Sequence, residues 1–461
     1  MQKFFSKYAL AAHLALMTVA PLFLFPFFGV EKSSVVLLWL SFLSILWILL
    51  EPSRRPEEYL YNARNRVYKS IISDPLFFIF GLLLIVAFVR WLNNGIKLEY
   101  GFVDSDWLWT VSLPTIQWLP GSDSEFGFMS LSTFISVTMV VLACRHALGK
   151  SARIMYVFLS ALFAGIAAVV AVLYCNGGSE LKNVIAISEY KVYSFAGSSF
   201  GLFFLASIIA LAGMFERGWL KSMLLFSFAA GATFTGLCYF APSVTIAFYS
   251  AFGLILLLIV LVYVAVRNGS LAFFKCLVAL IVAAVIPVII FQFAAPKEVL
   301  DVKAAILNSQ IISEEFFDVR RMYISLASDV WQSGNIWLGN GVGSLPLYMK
   351  LNLAENFWVD FIPNAWWQIL TERGLVGLTM IVVPFLFLTY TLLARIFRAQ
   401  FKRSFWLLTV LGVTVVFVVI IEGFYSASLT RPEFLSFAGA LYALSASSLP
   451  LKQNIESNQK K

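Results

Sequence analysis

The sequence predicts an all-α polytopic membrane protein: about twelve transmembrane helices, with one large outward loop between the ninth and tenth. Three observations predict it. Hydrophobic residues make up 60% of the chain and charged residues only 13%, against about 25% charged in a soluble domain. The apolar runs are about 18–24 residues long, which suits spanning helices rather than the shorter, alternating strands of a barrel. Lysine and arginine also change sides between successive runs.

Hydropathy places helices near 8–28, 34–50, 76–93, 127–144, 153–174, 198–215, 222–240, 244–266, 273–294, 374–394, 404–421 and 432–449. The first run follows Lys3 and Lys7. It is long and aromatic for a signal sequence, and Gly29-Val30-Glu31-Lys32 offers no small-x-small cleavage site, so it reads as a retained helix. Threading from a cytoplasmic N-terminus puts 21 of the 33 Lys and Arg inside, with 6 of the 25 Asp and Glu. The inner side then carries +15 and the outer −7, as the positive-inside rule requires, with both termini cytoplasmic. The net charge of +8 therefore reports orientation and contact with anionic headgroups, and no nucleic-acid motif accompanies it. The chain divides into helices 1–9 (1–294), a large loop (295–373), helices 10–12 (374–449) and a cytoplasmic tail (450–461).

Cys144, Cys175, Cys238 and Cys276 lie in or beside apolar runs without C-x-x-C spacing, which argues against a disulfide framework or structural zinc. His13 and His146 are the two histidines, and neither suits a base on the outer face. The outer segment 94–126 holds five carboxylates with Trp107, Trp109 and Trp118. Its Asp104-Ser105-Asp106 has a spacing that can chelate a divalent metal, but an acidic, solvated loop is the simpler reading. The next outer segment, 175–197, reads as a connector.

The loop 295–373 is long enough to be functional and is expected to contain short amphipathic helices. One runs from Glu314 to Trp331, with Phe316, Tyr323, Ala327, Val330 and Trp331 on one face. Arg320 shares that face, while Arg321 points about 100° away. A guanidinium on an aromatic face is either packed as a cation–π pair or aimed at an anion. Gly339, Gly341 and Gly343 then suggest a tight turn with closely approaching backbone. Pro363 suits the start of a short interfacial helix carrying Trp366 and Trp367. Gly374 and Gly377 permit a bend or close packing where the tenth helix enters the bilayer.

In these segments the chain resembles the O-antigen ligase and O-antigen polymerase superfamily of bacterial membrane glycosyltransferases. That family shows His-Asn, nine residues, then Gly-x-x-Gly at the end of a large periplasmic loop. Here the corresponding positions are Pro363, Asn364, Gly374 and Gly377, with proline in place of the histidine. Upstream the family has an arginine, a helix and a Gly-x-Gly-x-Gly turn, matched by Arg320 or Arg321 and by Gly339, Gly341 and Gly343. A family arginine after the seventh helix is absent, since Cys238-Tyr239-Phe240-Ala241-Pro242-Ser243 stands there. The likeness covers the loop closely and the rest by topology.

The resemblance implies a multi-pass protein of the bacterial inner membrane. It would move a glycan from an undecaprenyl-diphosphate carrier to a hydroxyl of a glycan or lipid acceptor on the periplasmic face. Its partners are then the carrier-linked glycan, the acceptor and membrane lipids, with no nucleic acid, cofactor, metal or nucleotide sugar. Arg320, Arg321 and Arg373 are the candidate diphosphate ligands, because arginine makes paired, charge-assisted bonds to phosphate. Without the histidine a carboxylate must accept the proton. Glu372 is the first candidate and Asp360 the next, with Asp318, Glu355, Glu422 and Glu433 also available. Two alternatives stand beside this: a catalytically silent relative that binds lipid-linked glycan in an envelope-polysaccharide assembly, and a twelve-helix transporter or flippase. The second fits less well, as the expected helix centres carry almost no charge.

Overall fold

Lipid offers no partner for an open peptide group, so an apolar chain embedded in it folds into helices that close their own hydrogen bonds. The structure, a computed structural model, describes residues 8–24, 42, 70–103, 106–112, 114–116, 118–119, 121–148, 150–177, 193–216, 223–241, 243–294, 314–354, 358–359, 361–397 and 406–446. Its helices are α1 (Tyr8–Leu24), α2 (Pro75–Leu92), α3 (Ser124–His146), α4 (Lys150–Gly177), α5 (Tyr193–Glu216), α6 (Met223–Phe240), α7 (Ser243–Asn268), α8 (Ser270–Ala294), α9 (Glu314–Ser333), α10 (Ser344–Asn352), α11 (Ala365–Phe397), α12 (Trp406–Tyr425) and α13 (Pro432–Ala446).

Among the described residues α2, α3, α4, α7, α8 and α11 are long and apolar enough to cross a membrane, and five others carry shorter apolar stretches of 10–17 residues. The protein is therefore an all-α membrane protein. Most of these helices follow the expected ranges within a few residues, whereas α11, expected from 374, starts at Ala365. The second expected helix lies outside the described residues apart from Phe42, as do Asp104 and Ser105, Glu355, Asp360 and the tail.

The helices pack through small side chains. Ala167, Ala168 and Ala171 of α4 are fully buried, as are Ala229 and Ala232 of α6, and α6 packs against α4, α5 and α8. Such residues let backbones approach where no hydrophobic effect separates helix from lipid. The opposite pattern marks the lipid-facing surface: Phe78, Leu82, Ile85 and Leu92 form an exposed apolar stripe on α2, and Leu254, Leu258 and Val262 another on α7.

One segment departs from expectation. Residues 98–111, expected as an acidic loop, form a β-hairpin of β1 (Leu98–Val103) and β2 (Asp106–Val111), in register from Leu98↔Val111 to Val103↔Asp106. Tyr100 pairs with Trp109 across the strands, and the two rings meet at 5.1 Å. The hairpin follows α2, so it marks one end of the bundle. At the other end Asp74 caps α2 through the Leu76 amide and accepts from Arg145 Nε at 2.5 Å, with His146 Nε2 at 2.9 Å, tying α2 to the end of α3.

Candidate functional site

The glycine motifs meet at the hairpin end of the bundle. Gly374 adopts φ 65° and ψ −172° inside α11, so the first turns of that helix and its long remainder are separate segments joined at a kink. The interfacial helix expected from Pro363 onward is thus the opening of α11. The loop 335–343 lies across the kink. Asn340 N donates to Thr371 O and Gly341 N to Glu372 O, both at 2.9 Å, while Leu375 N and Val376 N donate to Ile336 O and Trp337 O at 3.0 Å. The two backbones touch so closely that a Cβ at Gly374 would lie 2.3 Å from Trp337 O, and one at Gly339 would lie 2.5 Å from Arg373 N. The Gly-x-Gly-x-Gly turn and Gly-x-x-Gly bend are therefore two halves of one interlock.

α9 covers this interlock. Its Tyr323 and Ala327 are buried with Leu345, Met349, Val359 and Ile362, and Thr371 Oγ1 donates to Ala327 O at 2.9 Å. The face expected from the helical wheel is the face that packs. Arg320 turns towards the bundle, with Nη2 donating to Tyr425 O at 2.9 Å, Nη1 to Pro363 O at 3.5 Å, and its guanidinium 5.4 Å from the Tyr425 ring. Arg321 is exposed and pairs with Asp318 at 3.5 Å. The structure thus separates two arginines that spacing leaves equivalent. Asn364 is buried and serves as an N-cap, its Oδ1 accepting from Trp367 N at 3.1 Å. Pro363 presents its carbonyl to Arg320.

Glu372 and Arg373 diverge below the interlock. Glu372 is buried, accepting from Gln368 Nε2 at 3.2 Å and from the Gly343 amide. Gln368 is fixed in turn, its Oε1 accepting from Ile362 N at 2.9 Å. Arg373 points into the helix bundle, where Nη2 donates to Ser130 Oγ at 2.9 Å and the guanidinium lies 5.0 Å from the Phe134 ring. Sequence reasoning passed over Arg90, a lone cation near the end of an apolar run, which is itself the signal that could have found it. Arg90 is 4% exposed, and its Nη2 donates to Arg373 O at 3.0 Å and Leu338 O at 3.4 Å, clamping the interlock. Among the described residues the Nε atoms of Arg90 and Arg373 are buried without a hydrogen-bond partner. Arg431 was missed as well; it is buried in the turn before α13, 4.4 Å from the Phe361 ring.

A cavity of about 130 Å³ opens between α2, α3, α11, α12 and α13. Its walls are apolar, among them Leu83, Val137, Trp366, Leu388 and Val419, and among the described residues Arg373 is the one charged side chain lining it. The wall on α3 runs from Ser130 to Val141, or ~16 Å at 1.5 Å per residue, about half a hydrocarbon core. A smaller cavity of about 20 Å³ adjoins it, where Arg90, Arg373 and Ser130 face one another. The arrangement suits a molecule with an apolar tail and an anionic head. No group of three or more His, Cys, Asp or Glu able to hold a metal occurs among the described residues.

No protein-family model matches the chain, and no curated protein matches it.

Proposed function

We propose that the chain is a membrane glycosyltransferase of the O-antigen ligase or polymerase type, taking a glycan from a polyprenyl-diphosphate carrier on the periplasmic face of a bacterial inner membrane. The observation that carries this reading is the apolar cavity headed by Arg373, with Arg90 and Ser130 beside it. A polyprenyl chain would occupy the apolar groove, and the diphosphate would meet two guanidiniums whose Nε atoms are free to donate. In the transfer, the bond between the anomeric carbon and the diphosphate oxygen breaks as the acceptor oxygen bonds that carbon. The acceptor's proton passes to a base, and the carrier leaves as its diphosphate. Fixed cations at the leaving group are a large catalytic contribution in such reactions.

Among the three arginines expected from sequence, Arg373 has the environment for this work. Arg320 supports the segment around Pro363, and Arg321 faces solvent. Glu372 is held beneath the loop by Gln368 and the Gly343 amide and does not line the cavity, which favours a positioning role over that of base. One observation favours the alternative of a silent, glycan-binding relative: the position of the family histidine offers only the Pro363 carbonyl, already bound by Arg320.

The test is incubation of the protein in nanodiscs with undecaprenyl-diphosphate-linked glycan, beside Arg373→Ala and Arg90→Ala. Carrier release in the parent that is lost in both variants is expected. Tight carrier binding without turnover across several acceptors would favour the silent relative, and no carrier binding at all would refute both.

A further inference from the structure

The segment joining α2 to α3 carries exposed aromatic side chains on a rigidly held frame. α2 and α3 pack side by side, and both are long and apolar enough to cross a membrane. α2 has 18 residues, or ~27 Å, close to the thickness of a hydrocarbon core. With α2 across the membrane, the chain between its end and the start of α3 lies at the bilayer surface. Asn93, directly after α2, is buried and fixes a turn there. Its Oδ1 accepts from Ile116 N at 2.8 Å, and its Nδ2 donates to Ile116 O at 2.9 Å and Leu119 O at 3.1 Å. Thr115 Oγ1 adds a bond to Asn94 O at 2.8 Å.

Held in this way, Ile116 and Trp118 remain exposed, Trp118 over 75% of its surface. On the adjoining hairpin Tyr100 and Trp109 share a face, and each is more than half exposed. A frame pinned through its backbone does not fold these side chains back onto the protein, so their apolar cover comes from outside the chain. Two features point to lipid as that cover. The patch begins where the lipid-facing stripe of α2 ends, at the exposed Leu92 just before Asn93. Tryptophan and tyrosine, apolar rings with one polar edge, are also the side chains that settle at headgroup level. We propose that the turn bearing Ile116 and Trp118, with the Tyr100–Trp109 face of the hairpin, is an anchor seated in the interfacial layer of the bilayer. The anchor extends to Arg90, because Ser122 N donates to Asn93 O at 3.2 Å and Ser122 Oγ to Arg90 O at 2.8 Å. Its seating thereby sets the depth of that guanidinium. The anchor is independent of the glycan-transfer reading.

The full chain in nanodiscs provides the test. Subtracting the fluorescence of Trp118→Phe, or of Trp109→Phe, from that of the parent isolates each tryptophan, and both side chains are exposed, so neither change disturbs the core. In lipids brominated near the carbonyl end of the acyl chains, each component should lose most of its emission. Bromines near the methyl end should remove less, and aqueous iodide little. Loss to iodide without a response to brominated lipid, in either component, would overturn the proposal, because the patch would then face water. A stronger loss to the methyl-end bromines would overturn it too, by placing the patch in the hydrocarbon core. So would components indifferent to brominated lipid but shifted by added oligosaccharide, since the rings would then be a sugar-stacking platform.

Discussion

Replacing Gly374 by alanine tests the interlock most directly. An alanine there must hold φ near +65°, a region costing ~1–3 kcal/mol for a residue other than glycine. Its Cβ would also lie 2.3 Å from Trp337 O and 2.4 Å from Gly339 N. Both neighbours are backbone, so relief requires the loop 335–343 to lift. Lifting breaks the bonds from Asn340 N, Gly341 N, Leu375 N and Val376 N, at about 0.5–1.5 kcal/mol each. Strain and the full contact together amount to about 3–9 kcal/mol, comparable with the whole stability of many domains. The loop has no such depth of packing, so the expected response is local opening rather than global unfolding. Hydrogen exchange at those four amides should quicken at least about tenfold, the equivalent of ~1.4 kcal/mol, with the amides of α4 and α6 unchanged. Gly81→Ala is the control, because no atom lies within 4 Å of a Cβ there. Unchanged exchange in Gly374→Ala would refute the interlock.

Arg320→Ala should lower the Tm by removing bonds to Tyr425 O and Pro363 O, whereas Arg321→Ala should stay within ~0.5 kcal/mol of the parent; equal effects would refute their separation. Burial alone would raise the pKa of Asp74, but the His146 bond, the Arg145 charge and the Leu76 amide together hold it below the ordinary carboxylate range. Its stabilisation is therefore complete above the ordinary range and lost as pH falls through the lowered value. The acid limb of a Tm–pH profile should accordingly be steeper in the parent than in Asp74→Asn, and identical limbs would refute the link. Glu372→Gln removes the carboxylate that accepts from Gln368 and the Gly343 amide and should cost stability by ~1–3 kcal/mol, as for buried donors left without their acceptor. Full stability with lost glycan transfer would instead make Glu372 the base.

The spanning helices are legible in the sequence because lipid permits little else, and a long apolar run then has one outcome. The packed face of α9 is equally legible, since Tyr323, Ala327 and Val330 recur at helical spacing and are all buried. The hairpin is not. Hydropathy averages over Leu98 to Val111, and the signal that identifies strands there is alternation around a short polar turn, which Asp104 and Asp106 present as a charge cluster. Arg90 is obscured for a related reason: a cation near a helix end ordinarily snorkels to the interface. Its burial depends on the carbonyls of Leu338 and Arg373, 248 and 283 positions away in sequence, where local pattern carries no information.

The motif spacing has a physical reason that bears on function. Asn364 starts α11 and Gly374 ends its first segment, so the nine residues between them span about two and a half turns. Glu372 and Arg373, the last residues before the bend, project about 100° apart. One is directed beneath the loop, to Gln368 and Gly343, and the other into the bundle, to Ser130 and Phe134. The spacing thus couples the loop to the cavity through two neighbouring side chains. A ligand drawing on the Arg373 guanidinium would act on the segment that carries the loop's hydrogen bonds, and the loop's seating in turn fixes where that guanidinium lies. On the proposed reading, a proline at the position of the family histidine leaves this coupling untouched, because Pro363 stands before the segment and contributes only a carbonyl to Arg320. On that reading, binding of an anionic lipid would survive the loss of that histidine, and proton transfer would be left to distinguish an enzyme from a silent relative.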